Sequence, residues 1–138
     1  MTLADGNHGW TYRCPHCNGV VNPAGFVHLL GLRGGAQMLI GFHPEPGNYE
    51  LHAPPEARFE QGDMWTFHCP ICQSDLATER QPRLCELQLF TGDGYRRRLL
   101  FSRVAGEHAT YVERDDRPES SFGPHADRYD ITVDFELG

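Results

Sequence analysis

Three features of the sequence predict a mainly β fold. Fifteen glycines and ten prolines in 138 residues cut the chain into short segments. The apolar residues of several segments alternate with the two-residue period of a half-buried strand. No stretch carries a sustained helical period. An apolar fraction of 39% with 11% aromatics supports a folded core, and the length suits one domain spanning 1–138.

Residues 1–9 read as a loose leader. The chain then enters "GWTYRCPHCNG" (9–19) and leaves it through "GVVNPAG". Two apolar strands are expected at Phe26–Leu32 and Gln37–Phe42, joined at "RGGA", where the paired glycines supply the positive φ of a tight hairpin. "HPEPGN" is a turn cluster, "YELH" a short strand, and "APPEARFEQGD" a polar, proline-rich approach to "MWTFHCPICQS" (64–74). "LCELQLF" (84–90) places Cys85, Leu87 and Leu89 on one face and Glu86 and Gln88 on the other. Strands at 95–104 and 108–114 follow, separated from their neighbours by "TGDG" and "AGE". "DDRPESSFGPHADR" has loop composition, with Pro124 placed to open one helical turn. "YDITVDFEL" (129–137) alternates strictly and reads as a final antiparallel strand.

The two phrases around Cys-Pro-x-Cys are near-copies: Trp, Thr, an aromatic, a basic residue, then the cysteine pair. Two intervening residues let both thiolates of a pair converge on one ion, and Pro15 and Pro70 pre-set φ at the start of each turn. Cys14, Cys17, Cys69 and Cys72 therefore read as four ligands of one tetrahedral zinc or iron site. Redox dithiols are the competing reading, but such a pair opens a helix within a βαβ unit, and neither phrase is followed by a helical period. Trp10 and Trp65, with Tyr12 and Phe67, are placed to shield the thiolates, and His68 to lie near them.

The phrases resemble the metal knuckles of zinc-ribbon and rubredoxin-like proteins. "YRCPHCNGVVNPAG" is similar to the first rubredoxin knuckle and "WTFHCPIC" to the lead-in of the second, together about a quarter of the chain. The resemblance implies metal ligation by the same four cysteines and, taken literally, one-electron transfer at iron. Rubredoxins carry Gly directly after the second cysteine of each knuckle, in left-handed backbone, whereas this chain has Asn18 and Gln73. Zinc, which asks only for a closed thiolate cage, is the expected metal and iron the alternative. The architecture expected is a split zinc ribbon over 10–82 with a β-hairpin insertion at 20–63, followed by an antiparallel sheet over 83–138.

Other candidates have plainer readings. Cys85 falls on an apolar strand face and reads as a buried thiol. The eight histidines are scattered; convergence of several on one cleft would make a second metal site. Arg96, Arg97, Arg98 and Arg103 form the one basic concentration. They are expected to pair with carboxylates across strands, or else to contact a nucleic acid or an acidic partner.

A closed four-thiolate site has no open coordination position, so no catalytic residue is assigned. The expected function is that of a non-catalytic zinc-binding accessory or adaptor protein docking on a larger protein. A rubredoxin-like electron carrier and a nucleic-acid-binding ribbon are the alternatives. A formal charge of −7 weighs against nucleic acid. No secretory signal or membrane-length apolar run is visible, so a cytoplasmic protein is expected.

Overall fold

The computed structural model describes residues 9–115 and 117–129. Among them the elements are β1 (Thr11–Arg13), β2 (Val27–Arg33), β3 (Ala36–Phe42), β4 (Leu51–His52), β5 (Thr66–His68), β6 (Leu84–Phe90), β7 (Arg96–Ser102), β8 (Thr110–Arg114), β9 (Arg117–Phe122) and one 3₁₀ turn, Ala126–Arg128. The fold is mainly β, as expected. The final strand expected at 129–137 lies, beyond Tyr129, outside the described residues.

The strands form two antiparallel sheets, one of order β1-β6-β7-β8-β9 and one of order β4-β3-β2-β5. The β2–β3 hairpin turns on Gly34 and Gly35, whose φ of 61° and 85° carry no Cβ penalty in glycine. β6 to β9 make a meander, and β1 adds to its outer edge by pairing Tyr12 with Leu89. The sheet of the carboxy-terminal half is thus completed by a strand from the amino-terminal half.

The inner faces of the two sheets share one apolar cluster. Val27, Leu29, Ile40 and Phe67 contribute from the four-stranded sheet, and Tyr12, Cys85, Leu87, Leu89, Leu99 and Val112 from the five-stranded one. Phe101 reaches across, with ring centroids 5.6 Å from Phe42 and 5.9 Å from Phe67. The outer face of the larger sheet carries a second cluster, Leu84, Leu100, Ala109 and Tyr111, under Ala126 and Tyr129.

β9 corrects the reading of residues 115–128 as a loop. Its side chains are exposed almost throughout, so it has no alternation to detect, and Pro118 is tolerated because β9 is the sheet's edge. A register shift opposite Val112 and Glu113 accommodates the proline. The helical turn expected after Pro124 is present as the 3₁₀ turn. Among the described residues no helix is long and apolar enough to cross a membrane.

Candidate metal centre

Each cysteine pair sits where the chain passes from one sheet to the other. β1 brings the first pair in along the five-stranded sheet, and the exit, Val20–Asn22, hands over toward β2 through His28 N donating to Val21 O at 2.9 Å. β5 brings the second pair in along the four-stranded sheet, pairing with β2. Its exit joins the other sheet, with Ala77 bridged to Cys85 and Glu86 N donating to Leu76 O at 2.9 Å. The two passages are local copies of each other. In the first, Cys14 N donates to Gly19 O (3.0 Å), Asn18 N to Cys14 O (2.9 Å) and Val21 N to Tyr12 O (2.9 Å). In the second, Cys69 N donates to Ser74 O (3.0 Å), Gln73 N to Cys69 O (2.8 Å) and Leu76 N to Phe67 O (2.9 Å).

The turn forces the residue after each pair into left-handed backbone: φ is 65° at both Asn18 and Gln73. Gln73 therefore takes the conformation that its side chain disfavours. The two flanking backbone bonds impose it, at a local cost of about 1–2 kcal/mol.

The four sulfurs converge. Their atoms all lie within 4.8 Å of one another, with Cys14 and Cys72 at 3.8 Å and Cys17 and Cys69 at 3.8 Å. Sulfurs at about 2.3 Å from a central ion, set tetrahedrally, would stand about 3.8 Å apart. The spacing and the all-thiol donor set thus fit a four-coordinate metal ion. Backbone amides also point at the sulfurs: His16 N (3.2 Å) and Cys17 N (3.5 Å) at Cys14, Gly19 N (3.4 Å) at Cys17, and Ile71 N (3.3 Å) and Cys72 N (3.5 Å) at Cys69. Such donors stabilise thiolate charge.

The site is asymmetric in depth. Cys14 and Cys69 are buried in the core cluster, while Cys17 and Cys72 are exposed. Burial pushes the Cys14 thiol up to about 12, whereas the hydroxyl and amide of Ser74 bring Cys72 down to about 6. A cation that neutralises thiolates would therefore offset a large burial penalty at Cys14. Ile71 from the second passage folds over the first, so that its Cδ1 stands over Gly19 where a Cβ would be.

Asn22 locks the first lead-in, its Oδ1 accepting from Tyr12 N (2.8 Å) and its Nδ2 donating to Trp10 O (2.8 Å). This fully buried residue carried no signal in the sequence beyond its place in "VVNPAG". Trp10 is half-buried against the core. Trp65 is buried, but its ring stacks on Phe59 and Phe67 in the inter-sheet space. His68 ends β5, in register with Leu30 and bridged to Asp75. Cys85 is fully buried in β6, where burial pushes its thiol up to about 12.

The arginines face carboxylates. Arg97 binds Asp93 (2.8 Å) and Glu119 (2.7 Å), and Arg98 binds Glu86 (3.1 Å) and Glu113 (3.4 Å). Arg103 donates to Trp65 O and Thr66 Oγ1, both at 3.3 Å. Arg96 is exposed on the strand. His28 and His52 flank Gly41, and His52 stacks on Phe26. Among the described residues the four cysteines are nevertheless the one group of His, Cys, Asp and Glu with metal-ligating spacing.

No protein-family model matches the chain, and no curated protein or solved structure matches it.

Proposed function

We propose that Cys14, Cys17, Cys69 and Cys72 hold one structural zinc ion, and that the protein acts without chemistry of its own, as an accessory module docking on a larger protein. The observation that carries this reading is the sulfur geometry. Four thiolates within 4.8 Å of one another, two of the pairs at 3.8 Å, would complete a tetrahedral shell and leave no position for water or substrate. Zinc supplies a fixed dication with no redox chemistry, and structural sites of this kind contribute on the order of 10–16 kcal/mol in small peptides. Because the two passages belong to different sheet edges, the ion would act as a cross-link between the sheets. Ile71, 58% exposed at the tip of the second passage, offers an apolar contact beside the site. Engagement of Arg97 and Arg98 by carboxylates favours a protein partner over nucleic acid.

Metal analysis of the protein as purified should return one zinc per chain, lost in Cys14→Ser and Cys69→Ser. For docking, affinity capture should return a partner in stoichiometric amount that Ile71→Asp fails to hold; capture of no stable partner would remove the accessory role while leaving the zinc site standing.

Two observations favour a second reading. The left-handed Asn18 and Gln73 and the amide-to-sulfur bonds also suit a rubredoxin-like iron centre. That protein would be red, with visible absorption lost on reduction, whereas the zinc protein is colourless.

A further inference from the structure

A cavity of about 150 Å³ lies between the two sheets, with none of the four clustered cysteines in its lining. Leu29, Phe42 and Phe67 form its wall on one sheet and Leu99 and Phe101 on the other, so its body is apolar. A volume near 150 Å³ bounded by aliphatic and aromatic side chains is enough to hold a benzene ring. Tyr49 and His108, stacked with centroids 4.3 Å apart, stand among the lining residues and put polar atoms within its reach.

Two of the lining residues carry an unmet hydrogen-bonding demand. Trp65 is 2% exposed, and its indole Nε1 has no acceptor among the described residues. Arg103, beside it through the bond from Trp65 N to Arg103 O (2.9 Å), has an Nε without an acceptor among the described residues. A buried donor left unpaired is costly, because the hydration it loses is not replaced. Gly31 lies 3.2 Å from the Cε3 and Cζ3 edge of the indole, measured to the Cβ it would carry, so the N–H edge turns the other way, away from β2. The guanidinium is held by its bonds to Trp65 O and Thr66 Oγ1, which fixes its Nε and keeps a positive charge at the wall.

We propose that this cavity binds a small molecule with an apolar body of about one ring and a carboxylate or carbonyl oxygen, which accepts from Trp65 Nε1 and Arg103 Nε. The apolar wall takes the ring, and the two donors select the oxygen. Ligand pockets commonly combine such an apolar lining with a few fixed polar groups. At that end of the cavity a carboxylate also meets the charge of Arg103, while Glu45, Glu50 and Glu107 line other parts of it.

Benzoate, benzene and benzylamine, titrated into the metal-loaded protein and followed by amide chemical shifts, separate the terms. Benzoate should bind most tightly, with shifts at Leu29, Phe67, Trp65 and Leu99, and benzylamine most weakly. Trp65→Phe keeps an aromatic ring and removes the donor; it should weaken benzoate roughly tenfold or more and leave benzene nearly unchanged. Leu99→Phe, which adds bulk within the cavity, should abolish binding of both while the metal content stays at one per chain. Failure of benzoate to shift these residues, equal affinity for all three probes, or benzoate binding unaffected by both substitutions would overturn the proposal.

Discussion

Gln73 is the residue at which sequence and structure differ most instructively. A glutamine after the second cysteine argues against left-handed backbone, yet φ there is 65°, the same as at Asn18. The bonds from Gln73 N to Cys69 O and from Cys69 N to Ser74 O define the turn, and the side chain yields to them. Gln73→Gly should therefore stabilise the metal-loaded protein by about 0.5–1 kcal/mol in denaturant titration. Asn18→Gly should change it less, because asparagine tolerates this region. A loss of stability in Gln73→Gly would show the side chain to be needed. Gly31 behaves oppositely: a Cβ would stand 2.9 Å from Ile40 Cγ1 and 3.2 Å from the Trp65 ring, inside packed core. Gly31→Ala should cost about 1–3 kcal/mol by the same titration.

Among the elements, those with an apolar pattern or a glycine turn were readable and those without were not. The β2–β3 hairpin follows from two short apolar runs joined at Gly34-Gly35, whose positive φ closes the turn. β6 was legible because Leu84 to Phe90 alternates toward the core. β9 was not, since an exposed edge strand containing Pro118 and two serines buries nothing that could impose a pattern. The outer face of the β6–β8 meander shows which ion pairs matter. Glu113 is 1% exposed, its carboxylate bound by Arg80 at 2.8 and 2.7 Å, and burial pushes its carboxyl up against the pull of that arginine. Arg80→Ala should cost about 3 kcal/mol by leaving that charge under-compensated, whereas Arg96→Ala on the exposed start of β7 should stay within about 0.5 kcal/mol. The β7–β8 turn sets an acid limit. Burial pushes Glu107 up, but bonds from Ser102 (2.5 Å), Tyr129 (2.5 Å) and Arg128 (3.0 Å) outweigh it and hold the carboxyl below its ordinary value. Burial, and then His125, hold His108 below its ordinary value too. In both cases the unfolded chain takes up its proton first on acidification. Their contribution is complete above the ordinary histidine value. The part from His108 fades as pH falls from about 6.5, and the part from Glu107 as pH falls below about 4.5. Thermal midpoints measured from pH 7.5 to 4 should fall in that order, and His108→Gln should remove the first part of the decline.

At the scale of the whole molecule, the repeated phrase announced the four cysteines but not what they join. The alternation of β1 and β5 says which side chains are buried, not that β1 pairs with β6 and β5 with β2, because strand period carries no information about a distant partner. The structure places the cysteines at the two crossings between sheets, where one ion would fix both. Chelation should accordingly lower the thermal midpoint of the entire domain. It should also open Cys14, Cys17, Cys69 and Cys72 to alkylation, while Cys85, fully buried in β6, reacts only on unfolding. Protection of all four thiols after chelation would contradict the cross-link. X-ray absorption at the zinc edge of the native protein tests the closed thiolate site most directly. Four sulfur neighbours at about 2.3 Å, and no nitrogen or oxygen, is the result expected; an iron signal in place of zinc, or a shell containing a light-atom ligand, would contradict a structural zinc staple.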